Sequence, residues 1–269
     1  MVALAVALPI TLIHSTPAPP PPSPATLARH AAEQVNLHQL DLPSGWTVDT
    51  SKTSPLRGFL GGTGTSKSKR STSSTATSTS KSSPSGHQAE AQLEQCLGVP
   101  IAGLFGGTGS RPLANAASAP FASSSTSAIQ MEAASSTTVF SSDAQVSPAI
   151  SMIERPNFDS CFGTFIGQEL VAGGNSGPTK ATFGTPHVVP LIVPFHRGEA
   201  AAGVDVTVPV SGSAASTSVE LGVVLIGGGR LETALYTYSL GPAFPLSLTE
   251  SLTTALEQRV AAANAQLAS

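Results

Sequence analysis

Residues 219–240 read VELGVVLIGGGRLETALYTYSL, and this stretch decides the fold. Leu221, Val223 and Leu225 alternate with Gly222, Val224 and Ile226 up to a run of three glycines. Beyond the glycines, Leu231, Thr233, Leu235 and Thr237 alternate with Glu232, Ala234, Tyr236 and Tyr238. A period of two on either side of a glycine turn predicts a β-hairpin. Gly227, Gly228 and Gly229 are expected to supply its positive-φ positions. The first arm is apolar on both faces, which predicts a central strand, while the second has one mixed face.

Working outward, strands are expected at Trp46–Val48, in two pieces over 128–140, at 145–153, at 188–195 and at 204–210, where Val204, Val206 and Val208 alternate. Four helices are expected. The first covers 23–40, with Ser23 as cap, Pro24 at its first position and Leu27, Ala31 and Val35 as its stripe. The second, 87–97, puts Ala89, Leu93, Cys96 and Leu97 on one face and ends at Gly98. The third opens at Pro156 with Phe158, Cys161, Phe162, Phe165 and Ile166 on one face. It ends at Gly173–Gly174. The last follows a capping box at Ser247-Leu248-Thr249-Glu250 and carries Leu252, Leu256 and Val260. Residues 111–127 read as a loose connection. Strands joined by hairpins more than by helices predict an α+β fold, an antiparallel sheet packed by helices.

Charged residues make up 11% of the chain, with Ser, Thr, Ala, Gly and Pro in their place, a style of exported or high-GC bacterial proteins. The net charge of −3 argues against general nucleic-acid binding. It is uneven: six basic residues and no acidic one lie between Asp49 and Glu90, leaving −9 for the remainder. Residues 1–14, MVALAVALPITLIH, are too short to span a bilayer, which takes roughly 20 residues, but suit the apolar core of a signal sequence. A Lys/Arg-rich start is missing, so Met1 is expected to lie inside a longer N-terminus. The alternative is a loose apolar tail of a cytosolic protein. Pro19–Pro22 form an extended spacer, and no lipidation cysteine follows the apolar run. The organisation expected is therefore a signal or anchor remnant with spacer over 1–22 and one α+β domain over 23–269. A disordered basic Ser/Thr-rich insert interrupts that domain at about 50–86.

The chain has two cysteines, too few for a structural zinc site without nearby His partners. In an exported protein they read as one disulfide, Cys96–Cys161; in a cytosolic one they would be two buried free thiols. His30 and His38 read as surface residues, and His187 and His196 as surface or edge residues. No metal or cofactor is expected. The glycine-rich run Gly61–Ser68 lacks the glycine before Lys67 that a phosphate loop needs, and the similar phrase at 103–109 has no lysine. Gly174-Asn175-Ser176-Gly177 misses the spacing of a nucleophile elbow. Asp205 and Glu220 fall on strands with nothing in the sequence to pair them as two catalytic carboxylates. No enzyme is expected.

Several phrases together carry a resemblance. They are LDLPSGWTV at 40–48, CLGV at 96–99, FSSDAQVSPAISMI at 140–153, PNFDSCFG at 156–163, the Gly-Arg strand and the C-terminal helix. They resemble exported actinobacterial proteins similar to the sensor-domain-like and PsbP/Mog1-like lipoproteins of mycobacteria. The resemblance runs from about Leu27 to Ala263 without the insert, and implies an extracytoplasmic, non-catalytic sandwich that binds an envelope component. It brings no catalytic residues. A structural accessory acting through protein contacts is the alternative reading, and a hydrolase the third. Envelope lipid, glycan or a membrane protein are the partners expected, with the chain secreted or held at the outer face of the cytoplasmic membrane. Arg230, Tyr236 and Tyr238 are the candidate ligand-binding residues. A fixed guanidinium suits carboxylate or phosphate, and two tyrosines on one face can line a cleft if the helices cover only one side of the sheet. The alternative is a solvated Arg230 and two rings packed under a helix.

Overall fold

The computed structural model describes residues 22–51, 54–56, 84–98, 112–123, 130–146, 151–153, 155–174, 182–192, 200–211 and 216–268. Its elements are α1 (Pro24–Val35), β1 (Trp46–Val48), α2 (Pro84–Leu97), β2 (Ala114–Ala117), β3 (Phe121–Ser123), β4 (Gln130–Val139), α3 (Phe158–Gly174), β5 (Thr182–Phe183), β6 (His187–Pro190), β7 (Ala200–Ser211), β8 (Ser216–Gly228), β9 (Leu231–Leu240) and α4 (Leu246–Ala268). The strands form one nine-stranded sheet in the order β1-β3-β4-β9-β8-β7-β5, with β2 on β4 and β6 on β7. The pairings are antiparallel. The fold is α+β, as the hairpin predicted, and β8 is central because both of its faces are buried.

The hairpin turn is tighter than expected. Gly227 stays in the ladder opposite Glu232, and Gly228 opposite Leu231. Gly229 alone of the three has a positive φ, 51°. A two-residue loop needs unusual dihedrals at its own positions and nowhere else. A side chain at 229 would also collide with α4, since its Cβ would stand 2.7 Å from Asn264 Oδ1.

Each face of the sheet has its own core. On face I, Val204, Val206, Leu221, Val223 and Tyr236 pack beneath α2 and α3 through Leu93, Phe158, Phe162 and Ile166. On face II, Val224, Ile226, Leu231 and Leu235 pack beneath α1 and α4 through Ala31, Val35, Leu252 and Leu256. Helices therefore cover both sides, not one. The alternation of β8 sorts Leu221, Val223 and Leu225 to face I and Val224 and Ile226 to face II.

Several boundaries differ from expectation, each for a physical reason. α1 stops at Val35 instead of reaching Leu40 because buried Asn36 leaves the helix to accept from Ser135 Oγ and Thr137 Oγ1, both at 3.0 Å. Its buried stripe is Ala28, Ala31, Ala32 and Val35, while Leu27 is exposed, because alanines let α1 lie close to α4. The Ser23 cap is as read, accepting from Thr26 N–H at 3.2 Å. Residues 112–123 hold two strands where a loose connection was expected. Ala-Asn-Ala-Ala carries no β-branched signal and is recruited by the β4 ladder. At the two ends of the strand expected at 145–153 lie a 3-10 turn, Asp143–Gln145, and a helical turn, Ser151–Ile153, with 147–150 outside the described residues. Ser142 and Gln145 form a capping box that turns the chain. α4 begins at Leu246, with the Pro245 carbonyl accepting the first helical N–H groups, so Ser247 lies inside the helix and does not cap it. Both ends of the segment expected to be disordered are part of the fold: Ser54 and Leu56 are buried and α2 starts at Pro84, while 52–53 and 57–83 lie outside the described residues. The N-terminal run to 21, both glycine-rich phrases, the Gly-Asn-Ser-Gly spacing and His196 also lie wholly or mainly outside them.

Candidate functional site: the two faces of the central strands

Cys96 and Cys161 form a disulfide that joins α2 to α3, with Cα atoms 5.7 Å apart. Cys161 is buried among the phenylalanines, but Cys96 sits on the exposed side of α2 and not, as expected, on its buried stripe. The bridge therefore runs from the margin of the helix pair into its seam. The end of α2 is tied down beside it. Gly98 takes a φ of 67° and ends the helix, the Cys96 carbonyl accepts from Asn157 Nδ2 at 2.9 Å, and the Leu97 carbonyl accepts from Arg155 at 3.1 Å.

Face I of β4 and β9 carries the expected tyrosines and two glutamates. Tyr236 is 2% exposed and shares a hydrogen bond with Ser136. Burial pushes its phenol up to about 12, with Glu232 adding to the rise. Tyr238 is half-buried opposite Glu132, and burial, then the Glu132 charge, pushes it to about 12. Arg230 does not join them. It lies at the hairpin turn and donates to the Leu267 carbonyl of α4 at 3.1 Å, on the other side of the sheet. Six residues of strand, about 20 Å, separate it from Tyr236.

The two glutamates lie toward opposite ends of this strip and have opposite surroundings. Glu132 is wholly buried and satisfied by three donors: Ser54 Oγ at 2.6 Å, Gln130 Nε2 at 2.6 Å and the Leu56 N–H. Burial raises its pKa, and these donors hold the rise back. Glu232 is 7% exposed, stands opposite Thr138 and side-chain-less Gly227, and its Oε2 is buried without a hydrogen-bond partner. Burial alone pushes its carboxyl up to about 8. The sequence reading gave Glu232 no role; the one signal was a carboxylate on the mixed face of a strand next to the central one.

Face II holds a second surprise. Asp205 lies opposite Gly222 and Glu220 opposite Thr207, so the two acids are diagonal neighbours. The sequence reading saw nothing to pair them as two catalytic carboxylates; the register sets their carboxyls side by side on face II, each within reach of the other. The signal was in the register. With Val204, Val206, Leu221 and Val223 all committed to face I, an antiparallel β7–β8 pair must put Asp205 and Glu220 on face II together. Burial and then the Asp205 charge push Glu220 up to about 7, and burial raises Asp205. His30, His38 and His187 are exposed. Among the described residues no group of three or more His, Cys, Asp or Glu is placed to hold a metal, and no helix is long and apolar enough to cross a membrane.

No family model matches the chain, and no curated protein matches it. Among solved structures it is similar to the extracellular domain of PknH from Mycobacterium tuberculosis, at 9% identity and a TM-score of 0.26. That match covers 54% of this chain and 62% of the other, less than two thirds of its length.

Proposed function

We propose that the chain is an extracytoplasmic, non-catalytic binding or sensing module of the cell envelope. In this reading, face I of β9 holds a hydroxyl-bearing envelope molecule, a glycan or a lipid. The observation that carries it is Glu232, a carboxyl nine-tenths buried with an unpartnered oxygen, on a strip that also carries half-buried Tyr238 and Ser136, while Tyr236 itself belongs to the core beneath α2 and α3. Buried polar atoms are paired almost everywhere in folded proteins, and an unpaired one is a candidate contact for a ligand. At neutral pH this carboxyl is protonated, so it offers one donor and one acceptor to an uncharged hydroxyl. The disulfide supports the compartment, since such bonds persist where the environment oxidises. A non-catalytic role is supported by the acids themselves: Glu132 is committed to three donors, and Asp205 and Glu220 touch, leaving no room for a reacting group between them.

The test compares parent, Glu232→Leu and Tyr238→Ala proteins recovered from outside the cell, each analysed for co-purified envelope lipid or glycan. The parent is expected to carry such a species and both variants to carry less of it, each still folded with a cooperative unfolding transition above the assay temperature. Equal loads in all three, or none in the parent, would favour an accessory protein that works through protein contacts.

A further inference from the structure

Asp205 and Glu220 lie on face II, away from the proposed ligand strip, and neither the fold nor that reading needs them. The β7–β8 register sets the two acids diagonally across the strand pair on one face. Two ionised carboxylates are acceptors without a donor between them, so a hydrogen bond joining this pair needs one shared proton. The surroundings hold the pair in place. Gly222 has no side chain, and Thr237 Oγ1 occupies the space above it, 2.3 Å from where a Cβ would stand. Asp205 Oδ1 is buried with no partner. Glu220 Oε1 accepts the backbone N–H of Phe244 at 3.1 Å, in the link between β9 and α4. The Phe244 ring meets Trp46 edge-on, with centroids 6.0 Å apart.

The titratable groups on the neighbouring elements are few among the described residues. From β6, exposed His187 stands on the same face in the Thr207–Glu220 row. From α4 come Glu250, just past the first turn, buried Glu257, and Arg259, which is engaged by Asp41 and the Asn36 carbonyl. On β9, Glu232 and Tyr238 project to face I. On β7 and β8 themselves the pair is Asp205 and Glu220.

We propose that Asp205 and Glu220 form a proton-operated latch, in which one shared proton ties β7 to β8 and, through Glu220 and Phe244, sets the entry to α4. Losing the proton leaves two like charges side by side, which separate and shift Glu220 against the Phe244 N–H. Burial and the neighbouring charge place this change in the neutral range. Trp46, the sole tryptophan, lies against Phe244 and reports it.

The experiment follows Trp46 emission of the full chain from acid to alkaline pH. The parent is expected to show a transition with a midpoint near 7. Glu220→Gln keeps both hydrogen bonds without a titrating proton and should abolish that transition. Asp205→Asn removes the neighbouring charge and should move the midpoint toward acid by about one pH unit. His187→Gln should leave it in place, which separates the latch from an imidazole. No neutral-range transition in the parent, its survival in Glu220→Gln, or its loss in His187→Gln would overturn the proposal.

Discussion

At the scale of single residues, two acids on one strand pair show how partners decide whether a buried carboxyl stabilises. Glu132 accepts three hydrogen bonds and is part of the structure, whereas Glu232 is desolvated with nothing in return. The consequence is a pH dependence with a definite sign. The folded-state pKa of Glu232 is raised to about 8 from an ordinary 4.5, so the folded chain binds the proton more tightly than the unfolded one. Its contribution is fully present below about pH 4.5 and is lost as pH rises through about 8. Thermal unfolding of the parent should therefore fall between pH 5 and pH 8.5, and Glu232→Gln should flatten that fall. The difference at the alkaline end should be on the order of a few kcal/mol. A variant whose unfolding temperature tracks the parent at every pH would show that Glu232 finds a partner in solution. None of this was visible in the strand pattern, which says that residue 232 faces the mixed side but not that its row-mates are Thr138 and a glycine.

At the scale of elements, α4 is fastened at three places, and only its apolar stripe was legible beforehand. Its C-terminal end grips the hairpin turn, with Asn264 Nδ2 donating to the Gly228 carbonyl and Arg230 donating to Leu267. Its middle is tied to the segment after α1. Arg259 makes a bidentate pair with Asp41, at 2.8 Å for one arm, and donates to the Asn36 carbonyl at 3.0 Å. Burial on its own would raise the Asp41 carboxyl, but Arg259 and the His38 N–H hold it below its usual value. Asp41 is thus stabilising above its unfolded pKa, and that contribution is lost as pH falls through the lower folded one. Arg259→Ala should cost about 2 kcal/mol in denaturant unfolding at neutral pH, the worth of a charged bond to a largely buried carboxylate. A loss within the scatter of ordinary surface changes would mean that the pair is solvated. No periodicity predicts such a contact between residues 218 positions apart. The disulfide is the opposite case, because two cysteines allow one intramolecular pairing. It closes a 65-residue separation, for which the chain-entropy estimate is about 4 kcal/mol. Reduction should lower the denaturation midpoint accordingly, and an unchanged midpoint would show that α2 and α3 hold together without it.

At the scale of the whole molecule, the sequence made the architecture legible through side-chain alternation and hid the site through pairing. The double-faced apolar run of β8 placed it at the centre, and the valines of β7 placed that strand beside the core. The short strands β2 and β3 were missed because Ala-Asn-Ala-Ala and Phe-Ala-Ser are too short and too poor in β-branched residues to show a period, and the β4 ladder recruits them. Tyr236 and Tyr238 were correctly put on one face, but their roles depend on Ser136 and Glu132 across the strand, which register alone reveals. The central claim, an extracytoplasmic module that carries an envelope molecule, meets its most direct test in the intact mass of the protein recovered from outside the cell. Under denaturing, unreduced conditions the account predicts a chain with no free thiol. Under native conditions it predicts a mass higher than the chain's own by one hydroxyl-bearing envelope molecule. Protein found only inside the cell, or a native mass equal to that of the bare chain, would contradict it.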